Sequence, residues 1–431
     1  MLKYLWMVTQ DLFLPVTYVT LMHAMLSRRC GRTGRIIHGA ALGLGMAASV
    51  ALAAVKYNTN LIVSSRWNHY IYAVYLVLAL LFLLLTLVFG RREEAPVRAG
   101  SVMLCAAGGL TSAVLIFYAL PGALLYPFSF NTMGNGFFSS YYLERLAGWA
   151  LALLLLLVYS RALYHCGLQI RPYSIVPAAL NLGLMSFAVW CFGRYFVPWV
   201  NGAKWLGWPV KYREVAGQYG WVGDWMMFSA NQAMLFTWIA VGLAVLMAAV
   251  FFAGNLRVTD TYSNSAQRRK LRARNRRFRR IAGMTLACAL AALFVMTWVK
   301  AEDTRPVTLS APETYTVEEG KILIPIENVS DGHLHRFEYK TDKNISVRWI
   351  VVQKPGSAAF GVGLDACEVC GNAGYYERSG QVICKRCDVV MNINTIGFKG
   401  GCNPIPLAYE VSDGCLVFDL KDITAGEKEF R

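Results

Sequence analysis

Long apolar segments dominate the first 300 residues and constrain the fold more than any other feature. There are eight, each of about 20 residues, the length with which a helix crosses the ~30 Å hydrocarbon layer of a membrane. Backbone polar groups find no partners in lipid, so such segments must be helical there. They are residues 5 to 26, 36 to 56, 70 to 90, 100 to 120, 143 to 163, 174 to 197, 230 to 254 and 281 to 299. We therefore predict a polytopic α-helical membrane protein with about eight transmembrane helices.

The composition changes near residue 300. Overall, 56% of the 431 residues are hydrophobic and 16% are charged, which is typical of membrane proteins. Residues 1 to 299 carry 27 Lys and Arg against 7 acids, whereas residues 300 to 431 carry 15 against 19. The net charge of +16 thus belongs to the apolar part, which argues against a nucleic-acid-binding protein. We predict a transmembrane domain over 1 to 299 and an extracytoplasmic domain over 300 to 431.

Basic residues alternate between successive loops. They collect after segments one, three, five and seven, with ten between Arg257 and Arg280. Because Lys and Arg mark cytoplasmic loops, these loops lie inside and both termini outside. We interpret the run after segment seven as an anchor that touches anionic lipid, in preference to an RNA-binding arm. The first segment lacks a cleavage site and is expected to remain as a span.

The predicted spans contain few ionisable residues. The histidines in or beside them show no pair at helical spacing that would indicate a haem, so we interpret them as satisfied polar residues. These are His23, His38, His69 and His165. Two outer loops, residues 126 to 142 and 199 to 225, are rich in aromatic side chains and are expected at the membrane surface. A quinone or partner site in these loops is the alternative.

After Lys300 the sequence changes to short alternating segments with Gly and Pro between them, which predicts a small β-rich domain. The predicted strands are residues 315 to 317, 321 to 327, 334 to 339, 346 to 353, 405 to 411 and 416 to 420. Two Cys-x-x-Cys pairs follow one another here, Cys367 with Cys370 and Cys384 with Cys387, with thirteen residues between them. We call the turn that carries each Cys-x-x-Cys pair a knuckle. Two knuckles of this kind, as in a zinc ribbon, let four thiolates surround one ion or hold an iron-sulfur cluster.

Other uses of these cysteines stay open. Small exported domains often contain disulfides, and a single Cys-x-x-Cys pair can serve a thiol-disulfide oxidoreductase. Against disulfides, Gly371, Gly374 and Gly380 favour tight turns that aim the sulfurs at one point. Spacing alone does not separate zinc, iron and a cluster. Cys402, in a Gly-Gly-Cys-Asn-Pro turn, is a candidate fifth thiolate, and Cys415 is a bystander or a disulfide partner of Cys402.

His333 and His335 are a second candidate metal-binding feature. They are separated by one residue in a strand-like run, so both imidazoles are expected on one face of the strand. Such a pair can bind iron, copper or zinc, and an exposed structural pair is the alternative.

At these motifs the chain resembles the FtrD-like membrane iron-sulfur proteins, a family associated with bacterial ferrous-iron uptake. The resemblance covers about the last hundred residues. It is carried by residues 331 to 339 (DGHLHRFEY), 365 to 370 (DACEVC), 374 to 375 (GY), 384 to 387 (CKRC) and 400 to 406 (GGCNPIP). Its cysteine positions match Cys367, Cys370, Cys384, Cys387 and Cys402, and His335 lies in its His-Arg-Phe block, whereas Cys415 lies outside these blocks.

The resemblance implies a bacterial inner-membrane component that works beside an iron permease and periplasmic iron-binding proteins. Such a component would hold an iron-sulfur cluster or iron and carry electrons or metal, with no need for catalytic residues of its own. Zinc in a structural interaction module is the alternative. The permease is expected to carry Arg-Glu-x-x-Glu carboxylate pairs in its spans, and the predicted spans of this chain contain none. The most similar short sequences, Arg-Glu-Glu at residues 92 to 94 and Arg-Glu at residues 213 to 214, fall in predicted loops.

Overall fold

The computed structural model describes residues 2–59, 61–62, 64–90, 99–129, 140–202, 220–305, 307–378 and 380–430. The chain forms two compact units: the first contains Met1–Phe130 and Leu143–Asp303, and the second contains Thr304–Arg431 together with Asn131–Tyr142. Most of both aromatic loops lies outside the described residues, namely residues 130 to 139 and 203 to 219. The Arg-Glu sequences at residues 92 to 94 and 213 to 214 lie outside them too.

The first unit consists of helices. They are α1 (Leu2–Asn58), α2 (Ser64–Phe89), α3 (Ala99–Leu125), α4 (Ser140–Gln169), α5 (Ile175–Gly202), α6 (Gly220–Asn231), α7 (Ala233–Gly254), α8 (Ser265–Phe294) and the short α9 (Lys300–Asp303), which a π-helical turn at Val295–Val299 joins to α8. Among the described residues, seven helices are long and apolar enough to cross a membrane. The chain is thus a multi-pass membrane protein, as its apolar segments predict.

The first two predicted segments both lie in α1 and form two helices that meet at a kink at Gly31, without a longer loop between them. Gly31 interrupts the 57 residues of α1 with φ 56° and ψ −129°. Only glycine adopts such a conformation without strain, so it supplies the change of direction that a loop was expected to provide. The count of eight crossings remains a prediction.

Basic residues beside this kink contact the ends of other helices. Arg28 donates to the carbonyl oxygen of Ile170 at 2.7 Å, just beyond α4, and Arg29 donates to that of Phe89, the last residue of α2, at 2.9 Å. The last carbonyls of a helix lack intrahelical donors and carry partial negative charge, so guanidinium groups stabilise them. The kink and the C-terminal ends of α2 and α4 therefore lie at one end of the unit.

Two histidines meet across the same kink. The Nδ1 atoms of His23 and His38 are 3.0 Å apart, and His38 Nε2 is 2.9 Å from Ser112 Oγ. Both are hydrogen-bonded, in agreement with the interpretation as satisfied polar residues, although their contact depends on the kink and not on helical spacing.

The second unit is β-rich. Its strands are β1 (Thr316–Glu318), β2 (Lys321–Pro325), β3 (His335–Lys340), β4 (Ser346–Gln353), β5 (Phe360–Leu364), β6 (Tyr375–Arg378), β7 (Gln381–Cys384), β8 (Glu410–Ser412) and β9 (Cys415–Asp419). All neighbours are antiparallel, in sheets of order β1-β2-β9-β8, β3-β4-β5 and β6-β7. A short helix α10 (Leu420–Ala425) follows.

Strand β4 positions the cysteine region because both of its faces are buried. Val347, Trp349 and Val351 enter one core with residues of β2, β3 and β9. Ile350 and Val352 point to the opposite face and pack in a second core that contains Cys367, Cys370 and Cys384.

The predicted strands are confirmed in part. Strand β4 has the predicted bounds, whereas residues 405 to 409 contain only an isolated bridge between Pro406 and Gly363, and the strand itself begins at Glu410. Pro404 and Pro406 lack the amide hydrogens that a ladder requires, which explains the late start. Strands β5, β6 and β7 were missed because glycines and the knuckles interrupt the alternating pattern on which strand prediction rests.

Candidate metal centre

The first knuckle follows β5. Cys367 and Gly371 exchange two backbone hydrogen bonds, of 3.1 and 2.9 Å, which close a tight turn around Cys370. Gly371 adopts φ +65°, a conformation that glycine reaches at no steric cost. The Cys370 amide donates to Cys367 Sγ at 3.1 Å. An amide aimed at sulfur stabilises the thiolate, so the backbone of this turn favours metal binding.

The second knuckle repeats this turn at the end of β7. The Asp388 amide donates to the Cys384 carbonyl oxygen at 3.0 Å, and Asp388 adopts φ 56° where the first knuckle has glycine. The β6–β7 hairpin links the two knuckles, because Tyr375 pairs with Cys384. The two Cys-x-x-Cys motifs are thus equivalent turns presented by one hairpin.

Cys402 approaches from a third segment. Gly400 and Gly401 have φ +126° and +61°, which lets the chain turn tightly before Cys402. The Tyr375 hydroxyl donates to the Cys402 carbonyl oxygen at 2.7 Å and ties this turn to the hairpin. The Sγ atoms of Cys402 and Cys387 lie 3.8 Å apart.

The five cysteine thiols named by the sequence converge. Two overlapping groups share Cys370, and within each group all sulfur atoms lie within 4.8 Å of one another. One is Cys367, Cys370 and Cys402, and the other is Cys370, Cys384 and Cys387. A tetrahedral ion bound at about 2.3 Å places its sulfur ligands about 3.8 Å apart. The three thiols of each group are therefore close enough together to bind one metal ion, and Cys370 connects the two groups.

Electrostatics favour a cation here. Burial raises the pKa of the Cys370 and Cys384 thiols, and burial together with the neighbouring Cys387 raises the pKa of Cys402 to about 11. Burial alone would also raise the pKa of Cys387, but the Val389 amide and the surrounding thiols lower it overall. Several thiolates in one apolar pocket repel one another, and a soft cation such as iron or zinc offsets that repulsion. The donor set therefore fits a thiolate-bound metal or an iron-sulfur cluster.

A buried ion pair supports the hairpin. Arg336 Nε donates to Asp365 Oδ2 at 3.0 Å, and the other oxygen of Asp365 accepts the Tyr375 amide at 2.8 Å. Arg336 also donates to the Tyr375 carbonyl oxygen. These contacts hold the first residue of β6 directly opposite Cys384. Sequence reasoning missed this role of Arg336, Asp365 and Tyr375, although all three lie inside the motif blocks.

The histidines lie apart from the sulfur groups. His335 is buried, with Nε2 2.8 Å from Asp331 and Nδ1 3.0 Å from Glu313. His333 is exposed and its Nδ1 lies 2.8 Å from Glu377. Two carboxylates around one imidazole favour its protonated form, which has no free lone pair for a metal. A ligand role for either histidine remains a prediction.

The remaining cysteines are separate from this group. All eleven are free thiols. Cys415 begins β9, opposite Pro325, and belongs to neither sulfur group. The five cysteines of the helical unit, at positions 30, 105, 166, 191 and 288, are buried, as expected of small apolar fillers.

Residues 329 to 430 match the family model described as "Membrane iron-sulfur containing protein FtrD-like". The match covers about a quarter of the chain and includes all five converging cysteines and both histidines. The resemblance expected from the motifs is thereby confirmed for this segment. No curated protein and no solved structure matches the chain.

Proposed function

We propose that the C-terminal unit holds iron, as a cluster or a single ion, and relays electrons or metal for a bacterial iron uptake system. The convergence of five thiols from three chain segments carries this proposal. The family match supports an iron-related role in a membrane. The relay acts at the outer face of the inner membrane, beside an iron permease and a periplasmic iron-binding protein.

The exposure of the thiols supports a relay. Cys367, Cys370 and Cys384 are buried, whereas Cys387 is exposed and Cys402 is intermediate. A centre with one protected and one accessible side is shielded from bulk water but can still contact a redox partner. Amide hydrogen bonds to the sulfurs, as at Cys367, are among the contacts that tune the potential of a thiolate-bound iron centre.

The charge pattern supports the proposed orientation. The positively charged loops of residues 1 to 299 stay in the cytoplasm, which leaves the acidic C-terminal unit outside. There it would meet ferrous or ferric ions before they enter the permease.

A structural zinc centre is the second candidate. The sulfur groups are compact enough for a single tetrahedral ion, and zinc needs only four of the five thiols. In that case the metal would fold the unit so that it docks a partner. A thiol-disulfide oxidoreductase is the third candidate, and the burial of three of the four knuckle thiols makes it the least favoured.

Metal analysis and visible absorption of the anaerobically purified full chain test the proposal. We expect iron and a visible band that reductant bleaches. Cys384→Ser should lose both, because Cys384 is buried inside one sulfur group. Cys415→Ser is the matched control, since it removes a thiol from the same unit outside both groups, and it should keep them.

Stoichiometric zinc without colour would overturn the redox proposal in favour of the structural one. Protein without metal whose knuckle thiols cycle between thiol and disulfide would favour the oxidoreductase. Equal iron loss in Cys415→Ser would show that metal retention is not specific to the thiols of the two sulfur groups, which would contradict this assignment of the site.

A further inference from the structure

A groove of about 560 Å³ lies between α7 and α8 of the helical unit. Phe252, two residues before the end of α7, lines one side of it. Ala273, Arg276, Arg279 and Arg280 of α8 line the other side. Because α7 is long and apolar enough to cross a membrane, the groove lies beside the end of a candidate span.

Two contacts hold α8 in place beside this groove. The Asn275 side chain donates to the Arg257 carbonyl oxygen at 2.9 Å, just beyond the end of α7. The rings of Phe251 and Phe278 pack with their centroids 5.5 Å apart. The walls of the groove are therefore packed helices.

Arg276, Arg279 and Arg280, which we call the groove arginines, share one face of α8. Arg279 and Arg280 follow Arg276 by three and four residues, and residues at these spacings are neighbours on a helix surface. Like charges at these spacings repel one another and destabilise the helix. A bound anion would offset this repulsion.

The chain supplies no counterion for these three charges. Asp260 is the only acid between residues 255 and 299, and it pairs with Arg274 and Arg171. None of the groove arginines forms an ion pair with any residue that the structure describes. Their charge is therefore available to an anion from outside the chain.

Phe252 adds an apolar surface beside these charges. Its ring is 43% exposed and lies near the point where α7 ends. A soluble phosphate compound would contact the arginines and leave this ring uncovered. A phospholipid brings a phosphate and an acyl chain together, so it matches both parts of the groove.

We propose that this groove binds one anionic phospholipid, with the phosphate against the groove arginines and an acyl chain along Phe252. Guanidinium groups bind phosphate through charge-assisted hydrogen bonds, and basic pockets between membrane helices bind anionic head groups. The basic run as a whole was expected to touch lipid, whereas this discrete site uses three of its ten basic residues. The site goes beyond the proposed function and stands on the helical unit alone, whatever the cysteine centre holds.

Native mass spectrometry of the delipidated full chain in detergent tests this inference, because it counts bound lipid molecules. We expect phosphatidylglycerol to bind about tenfold more tightly than phosphatidylcholine with the same acyl chains, since the groove arginines favour a negative head group. Equal binding of the two lipids would overturn the proposal. So would displacement of phosphatidylglycerol by an equal concentration of glycerol 3-phosphate or of a short RNA, neither of which has an acyl chain.

Two combined variants on the same helix locate the site. The groove variant combines Arg276→Gln, Arg279→Gln and Arg280→Gln, and it should lose the preference for phosphatidylglycerol. The matched control removes three exposed arginines of α8 outside the groove and should keep that preference; it combines Arg269→Gln, Arg272→Gln and Arg277→Gln. Equal loss in both variants would show that the charge of the whole helix attracts the lipid, and would overturn a discrete site.

Ala273→Trp provides a second test, because it fills the groove from α8 without changing any charge. It should also abolish the preference for phosphatidylglycerol. Since Ala273 is exposed, the substitution should leave folding intact, so it decides the question if the groove variant does not fold. An unchanged preference in Ala273→Trp would overturn the proposal.

Discussion

Arg336 Nε lies 3.0 Å from Asp365 Oδ2, and both side chains are almost completely buried, at 1% and 0% exposure. Asp365 also accepts from Arg348 of β4 at 3.2 Å and from the Tyr375 amide of β6. One carboxylate thus joins β3, β4 and the hairpin that carries the second knuckle. Without it, two guanidinium groups would be left next to the cysteine core.

Asp365→Asn should destabilise the C-terminal unit. Removing one partner of a buried ion pair typically costs about 3 to 5 kcal/mol, because the other charge stays buried and uncompensated. Hydrogen-exchange mass spectrometry of the full chain should show faster exchange in β3, β4 and β6. Glu368→Gln removes an exposed carboxylate in the same unit and should change little. Unchanged exchange in Asp365→Asn would contradict a structural role for the pair.

Substitution of the positive-φ residue should affect the stability of the two knuckles in opposite directions. Gly371→Ala places a side chain at φ +65° and should cost about 1 to 2 kcal/mol, whereas Asp388→Gly relieves a positive φ of 56° and should be neutral or stabilising. The urea concentration that releases half of the bound metal measures the effect. If both substitutions lower it equally, the left-handed conformation does not decide the stability of these turns.

Cys402→Ser should retain more metal than Cys384→Ser. Cys402 is half-buried and its loss leaves both Cys-x-x-Cys pairs complete, whereas Cys384 is buried and its loss breaks the second pair. The metal-to-protein ratio and the visible spectrum distinguish the variants. Complete metal loss in Cys402→Ser would instead make it an obligatory ligand.

Both motif histidines should titrate above the usual value of 6.5. The Glu377 hydrogen bond raises the pKa of His333. Burial alone would lower the pKa of His335, but hydrogen bonds to Asp331 and Glu313 raise it overall. Because these pKa values are higher in the folded state, the two protonated histidines stabilise the folded protein. Their contribution to the free energy of unfolding is fully present below pH 6.5 and is lost as the pH rises through the folded pKa values.

NMR of ¹³C-histidine-labelled protein reads these titrations directly. Asp331→Asn should lower the titration midpoint of His335, and Glu377→Gln should lower that of His333. A midpoint of His335 at or below 6.5 in the wild type would show that its carboxylate partners do not stabilise the imidazolium.

Reporter fusions test the proposed orientation. Alkaline phosphatase fused after Arg431 should be active, because it folds only outside the cytoplasm, and green fluorescent protein at the same place should be dark. The opposite result would place the C-terminal unit in the cytoplasm. Fusions within residues 257 to 280, where ten basic residues collect, should give the reverse pattern and serve as the control.

Local sequence patterns determined much of this structure. An apolar segment of about 20 residues has few alternatives to a helix in lipid, so the membrane helices could be predicted. The Cys-x-x-Cys spacing occurs twice, at Cys367 and Cys370 and again at Cys384 and Cys387, and indicated two tight turns. Both turns form, and the residue after each pair, Gly371 or Asp388, adopts a positive φ. Strand β4 was predicted with its observed bounds from the alternating pattern of its residues.

Contacts between distant segments were decided only by the tertiary structure. The approach of Cys402 to Cys387, the Arg336–Asp365 pair and the meeting of His23 with His38 all depend on how separate elements are placed. Periodicity reports which face of an element is buried, but not which face of another element it meets. The sequence therefore determined the membrane helices, several strands and the cysteine knuckles, and the packing of β4 against the β6–β7 hairpin helped to bring five thiols into two overlapping groups.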